Sequence, residues 1–285
     1  MLNFRYHALS LVAVFLSLAI GLLLGVAIGD QGLVSSAEKD VRASLREDVR
    51  AAQDERDAAL DALAERQRFE DEAYPALVGD RLLGRSIALI GLGGASDRMW
   101  NLTKEALQGS GARLVSVSVV REPPRLDELA QAAEGTRYER LTEDPELLEP
   151  FAHRIGIQFT RGGRLLQSVR RELLVQGSGV PRGVDGVVLV RESPELEDEA
   201  AAEQLDAFEA ALVEGLRADG VPVVGVETTD AEASQIDWFK SHELSSVDDL
   251  DDPIGRAALV FALAGQRGSF GVKPTADGGR LPPVF

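Results

Sequence analysis

Residues 8–29, ALSLVAVFLSLAIGLLLGVAIG, form twenty-two consecutive positions without a charged side chain. As a helix rising about 1.5 Å per residue, this segment spans the roughly 30 Å hydrocarbon core of a bilayer. A helix that is apolar on every side has to be enclosed, either by protein or by lipid. The sequence therefore predicts an uncleaved transmembrane anchor within residues 1–30. A secretory signal peptide competes with it, because Ala27 and Gly29 make a small-x-small pattern ahead of Asp30, but its apolar stretch is usually shorter. Arg5 and His7 flank the short side with Phe4 and Tyr6 as interfacial aromatics, while Lys39, Arg42 and Arg46 follow the far end among Asp30, Glu38 and Asp40. The flanking charges are balanced, and a long domain translocates largely regardless of its own charges. The expected topology is single-pass in the cell membrane, with the N-terminus cytoplasmic and the C-terminal domain extracytoplasmic.

Along the anchor, Ala13, Ser17, Gly21, Gly25 and Gly29 recur every four residues. Small side chains at that spacing let a second helix approach closely, so Ser17, Gly21, Gly25 and Gly29 are a candidate seam for association in the membrane.

Residues 31–75 have a different composition, rich in alanine and charge, with no glycine after Gly32 and no proline before Pro75. That suits a long exposed helix. Val34, Val41, Leu45, Val49, Ala52, Leu60 and Leu63 follow steps of four and three, with Arg56 interrupting the stripe. The run repeats after eleven residues, a period nearer 3.67 than 3.5, which predicts a straight or slightly right-handed coil. A stripe this narrow cannot make a core for itself. Val41, Leu45, Val49, Leu60 and Leu63 are therefore expected to face a partner helix, either a second copy or another envelope coiled-coil protein.

Residues 84–267 alternate short apolar runs with helical stretches, which predicts an α/β, Rossmann-like domain with a mostly parallel sheet. The expected strands are 86–90, 113–119, 186–190 and 221–226. The expected helices are 97–108, 126–133, 145–153, 161–175, 197–218 and 254–264, with Gly109, Gly111 and Asp219-Gly220 as stop signals. The remaining residues, 268–285, are rich in glycine and proline and are expected to lie over the surface or be disordered.

The turn Gly91-Leu92-Gly93-Gly94-Ala95-Ser96-Asp97 resembles a phosphate-binding loop, and Glu122 stands about where a ribose-binding acid would sit, but Ser96 replaces the third glycine. A tight strand-to-helix turn capped by Ser96 or Asp97 is the plainer account. The acidic run 245–253 lacks the spaced ligands of a calcium loop, so Asp252 as helix cap followed by Pro253 is preferred. Arg161, Arg164, Arg170 and Arg171 form the one concentrated basic face, opposite a buried stripe of Leu165, Val169 and Leu173; it reads as a solvated face or a contact for a partner or an anionic polymer. The net charge of −17 argues against nucleic acid as partner. With no cysteine, two methionines, and three scattered histidines at His7, His153 and His242, no catalytic residue, cofactor site or metal site is predicted.

The opening Asn3-Phe4-Arg5-Tyr6-His7, then Ser10-Leu11, Ala13-Val14-Phe15-Leu16, Gly21 and Gly25, resembles the start of the actinobacterial MctB/SteB-like family, often labelled copper transporters. The stretch from Ser246-Val247-Asp248-Asp249 to Pro253, followed by Ala257-Ala258-Leu259-Val260-Phe261-Ala262-Leu263, is similar to the C-terminal helix of that family. The resemblance implies a single membrane anchor, an extracytoplasmic coiled coil and an α/β domain. It links MctB-like members to copper efflux and resistance, and SteB-like members to envelope assembly and daughter-cell separation. Copper enters by this resemblance alone. A single apolar helix cannot enclose a pore unless many copies assemble, and no series of alternating ten-residue segments suggests an outer-membrane barrel. The expected function is that of a non-enzymatic, membrane-anchored envelope protein acting through protein contacts. Copper transport or homeostasis is the alternative, and a cytoplasm-facing nucleotide-binding domain comes third.

Overall fold

The computed structural model describes residues 4–29, 33–179, 182–192, 194 and 196–283; Met1, Asn3, Asp30 and Phe285 lie outside them. The chain divides into two compact units, Met1–Arg68 and Phe69–Phe285.

The first unit holds helix α1, Phe4–Gly29, and most of helix α2, Leu33–Val78. Tyr6–Ala27 of α1 is long and apolar enough to cross a membrane. The described side chains of α1, and those of α2 from Lys39 to Phe69, are exposed.

The second unit begins with the last turns of α2, which run a little beyond the 31–75 stretch read from the sequence as a long exposed helix. Proline lacks the N–H that an interior turn requires and ordinarily breaks a helix. Here α2 runs through Pro75 to Val78, because Val78 is buried against the domain core and Tyr74 Oη donates to Ala106 O at 2.7 Å.

Beyond it come β1 (Ser86–Leu92), α3 (Asp97–Leu107), β2 (Arg113–Val120), α4 (Leu126–Ala132), α5 (Leu148–Arg161), α6 (Arg164–Leu173) and β3 (Leu174–Gly179). There follow β4 (Gly186–Arg191), α7 (Glu199–Arg217), β5 (Val223–Val226), α8 (Ile236–Ser241), β6 (Ser245–Val247), α9 (Pro253–Leu263) and β7 (Ser269–Phe270). The seven strands form one sheet in the order β3-β2-β1-β4-β5-β6-β7, parallel except for β3. Alternate residues of a strand point to opposite faces, and both faces are covered. Ala88, Ile90, Val187 and Leu189 join the core that contains residues of α4 to α8; Ile87, Leu89, Val188 and Val190 join the core under α3 and α9.

The four expected strands and the mostly parallel sheet are present. Two stop signals hold as well, since α3 ends ahead of Gly109 (φ +81°) and α7 ahead of Gly220 (φ +71°). Two predicted helices need redrawing. The stretch expected at 145–153 is a 3-10 turn, Pro145–Leu147, leading into the longer α5, and the helix expected at 161–175 is α6 followed by β3. Gly162 and Gly163 break the helical run, and Leu174 pairs with Val120 to begin an antiparallel edge that no local alternation announces. The glycine- and proline-rich tail is also ordered in part: β7 completes the sheet and Phe270 is buried.

Candidate functional site

On α1, the hydroxyl of Ser17 donates to Val14 O at 2.9 Å, so its polar group is satisfied within the helix. A Cβ placed on Gly21 or Gly25 would meet nothing within 4 Å, which leaves an open groove along that side; Gly29 is the last residue of the helix. On α2, Val41, Leu45, Val49, Leu60 and Leu63 are each 50–65% exposed, and Arg56 turns to its neighbour Asp57 (Nε to Oδ1 2.9 Å). Only the backbone of Val34 is described. The two predicted surfaces are thus helical, exposed and without a cover in the single chain, among the described residues.

In the α/β unit, the carboxyl ends of β1 and β4 mark the point where the strand order reverses, the usual ligand crevice of an open parallel sheet. Ser96 caps α3 by accepting from Met99 N at 3.3 Å, as the plainer sequence account expects. The glycines before it serve close packing. A Cβ on Gly93 would stand 2.4 Å from Glu192 O, and one on Gly94 would stand 2.2 Å from Glu192 Oε2. The turn thus lies under an acidic side chain, where a nucleotide phosphate would meet like charge.

Glu122 and Arg191 join a buried network in the same region. Arg191 forks onto Glu209 (Nε to Oε1 3.0 Å, Nη2 to Oε2 2.8 Å), lies 4.6 Å from the centre of the Trp238 ring, and donates to Gln235. Glu209 is fully buried. Burial pushes its carboxyl above the ordinary range and Arg191 pulls the other way. The Glu122 carboxyl is close enough to contribute to the Glu209 shift. Next to this network Glu227 accepts from Ser234 Oγ (2.8 Å), Gln235 N (2.7 Å) and Lys273 Nζ (2.5 Å). A cavity of about 370 Å³ opens here between Ser96, Arg98, Arg191, Glu192 and Glu227. Its buried cation, Arg191, is already matched by Glu209.

The acidic run at the end of β6 is structural. Asp252 caps α9 by accepting from Ile254 N at 2.8 Å, and Pro253 is the first helical residue. Asp248 accepts from Val272 N and Lys273 N (2.8 and 3.1 Å), and Arg280 reaches Asp249 and Asp252 (3.1 and 3.0 Å). These carboxylates tie down the segment that follows β7. Asp249 is fully buried, and that burial, opposed by Arg280, pushes its carboxyl up to about 6. Sequence reasoning missed this role, although a buried acid cluster followed by Lys273 and Arg280 is the signal that points to it.

The histidines stay apart. His7 lies on α1, His153 on α5, and His242 follows α8, stacked on Trp238 at 4.0 Å. Among the described residues no group of three or more His, Cys, Asp or Glu is placed to hold a metal ion. The basic face is split: Arg161 ends α5 and is paired with Asp219, while Arg164, Arg170 and Arg171 lie on α6 above the buried Leu165, Val169 and Leu173.

The match to a family model described as "Copper transport outer membrane protein, MctB" covers residues 1–280. Proteins named "Copper transporter MctB" from Mycobacterium bovis and from Mycobacterium tuberculosis are 32% identical to the chain over 123 residues, 43% of its length. The matched stretch spans 39% of the relatives' own length. That family is named for transport and not for a catalytic activity. With the family model matched from the membrane-length helix through the sheet and its last strand, the chain belongs to the MctB copper transport family.

Proposed function

We propose that this protein is a non-enzymatic, membrane-anchored part of a copper-handling system of the cell envelope, and that it acts through association of α2 with another helix. The copper link comes from the names of the family and its relatives. The helix link rests on one observation, the five apolar side chains of α2 that stand 50–65% exposed. Fully burying one such side chain is worth about 1.5–3 kcal/mol, so a partner helix that covers the stripe is strongly favoured. The partner is a second copy or a different coiled-coil protein, and the small-residue seam of α1 offers the same partner a second contact in the membrane. The N-terminus faces the cytoplasm and the α/β unit lies outside.

The chain acts as an assembly component and not as the conduit itself. A lone membrane helix encloses no pore. Copper(I) prefers thiolate and thioether ligands, and the sequence offers no cysteine and two methionines, of which Met99 is buried.

A deletion strain complemented with the wild type, Leu45→Asp or Leu60→Asp and plated on graded copper tests this. The deletion is expected to lower copper tolerance, and neither variant should restore it. Unaltered tolerance together with chains of unseparated cells would replace this reading with a role in envelope assembly. A phosphatase fused after Phe285 should be active if the unit lies outside.

A further inference from the structure

A cavity of about 610 Å³ opens beside the antiparallel edge of the sheet, bounded by the end of α5, the first turns of α6, and the start of β3. Arg161, Arg164, Arg170 and Arg182 line it, and in a chain of net charge −17 no aspartate or glutamate does. Its floor is apolar, with Phe159 and Leu174. Two of the guanidinium groups are held in place: Arg161 pairs with Asp219, and Arg170 donates to Gly179 O at 3.1 Å. Arg164 and Arg182 have no acceptor among the described residues. The first turn of α6 lines the same space. Gly163 supplies no side-chain cap there, and of that turn the N–H of Leu166 is taken by Gln158 Oε1 at 2.8 Å.

Like charges around one cavity repel one another, and apart from Asp219, which pairs with Arg161, no carboxylate among the described residues offsets them. A multiply charged anion would. Guanidinium forks match phosphate oxygens two at a time, and a phosphate carries enough oxygens to serve several forks at once. The N-terminal end of α6 adds positive potential of the same sign. A cavity of this size suits a small ligand; a nucleic acid strand would need a track of positive charge, which the overall charge opposes.

We propose that this cavity binds a phosphate-bearing ligand, with Arg164 and Arg182 as its direct contacts, Arg161 and Arg170 holding the surrounding field, and the apolar floor taking the uncharged part of the ligand. The chemistry is common to a phospholipid headgroup and to a soluble phosphate ester.

Full-length protein in an uncharged detergent, titrated calorimetrically with inorganic pyrophosphate and separately with dihexanoyl phosphatidic acid, tests the site. Saturable one-site binding is expected, with at least a tenfold weakening in the Arg164→Gln/Arg182→Gln double variant. Arg171→Gln, on α6 but outside the cavity, should bind as the wild type does. Tighter binding of the lipid assigns the site to a headgroup; equal or tighter binding of pyrophosphate assigns it to a soluble phosphate. If the double variant unfolds early, Arg182→Gln in its exposed loop carries the same test with at least a threefold loss. No saturable binding of either probe, full affinity in the variants, or an equal loss in Arg171→Gln would overturn the proposal.

Discussion

Helices α2 and α9 are built from the same kinds of apolar side chain and meet opposite fates. In α9, Ala257 to Leu263 are at most 2% exposed, enclosed by α3 and the strands of the sheet. In α2, Leu45, Leu60 and Leu63 are more than half exposed. The difference lies in the rest of each sequence. α9 is short and apolar over most of its circumference, with Arg256 its one charged residue, so the chain surrounds it. α2 is charged on most of its circumference, so it can stand in water except along one stripe. A narrow stripe on a polar helix is a request for one more helix, whereas a mostly apolar helix needs a whole core.

Identical substitutions should separate the two most sharply. Leu259→Ala in α9 is expected to destabilise the α/β unit by about 2–5 kcal/mol, because it removes buried atoms and leaves a cavity. Leu45→Ala in α2 should shift that unit's unfolding by less than about 0.5 kcal/mol. Denaturant unfolding of the full-length protein, followed by tryptophan fluorescence, reads both. Equal effects would erase the contrast.

A second expected effect concerns Asp249, which lies under the first turn of α9. Gly255 leaves room for it, since a Cβ there would stand 2.3 Å from Asp249 Oδ1. With its carboxyl raised to about 6, the folded chain holds this proton more tightly than the unfolded chain does. The contribution is fully present below about pH 4 and is lost as pH rises through about 6, up to about 3 kcal/mol. Asp249→Asn removes this dependence. The stability of Asp249→Asn relative to the wild type should therefore climb between pH 4 and pH 7. A constant difference across that window would mean that Arg280 keeps Asp249 ionised throughout.

The smallest of the three effects falls on association. Leu45→Asp or Leu60→Asp should weaken helix pairing by about 1.5–3 kcal/mol, a ten- to hundredfold change in dissociation constant, while the α/β unit keeps its melting temperature. Sedimentation and crosslinking of the full-length protein in detergent check this. If the wild type is a monomer with and without candidate partners, α2 is a spacer.

Features that depend on local composition were legible in the sequence. The anchor shows as an uncharged run, α2 as a glycine-free charged run with one stripe, and the caps Ser96 and Asp252 as residue types suited to helix starts. Arg191 was not legible as part of a site. Its value comes from Glu209, eighteen residues on, and from Trp238, on a different helix. Glu122 drew attention by its spacing from the glycine turn, and its place next to Glu209 could not be read from that spacing.

Sequence alone determined the class of each segment, since hydropathy period and turn residues act within a few positions of one another. It yielded an apolar span, a solvated helix with a stripe, and an α/β pattern with mostly parallel strands. Tertiary structure decided what those positions do at long range. Pro75 stays inside a helix because Tyr74 and Val78 are held by the core, and residues 174–179 form an antiparallel edge because Leu174 pairs with Val120. The glycine-rich tail is pinned because Asp248 and Asp249 wait for its N–H groups and for Arg280. Each outcome turns on a partner from a separate element of the fold. Only packing brings such partners together, and there a buried hydrogen bond or ion pair outweighs the local preference of the backbone.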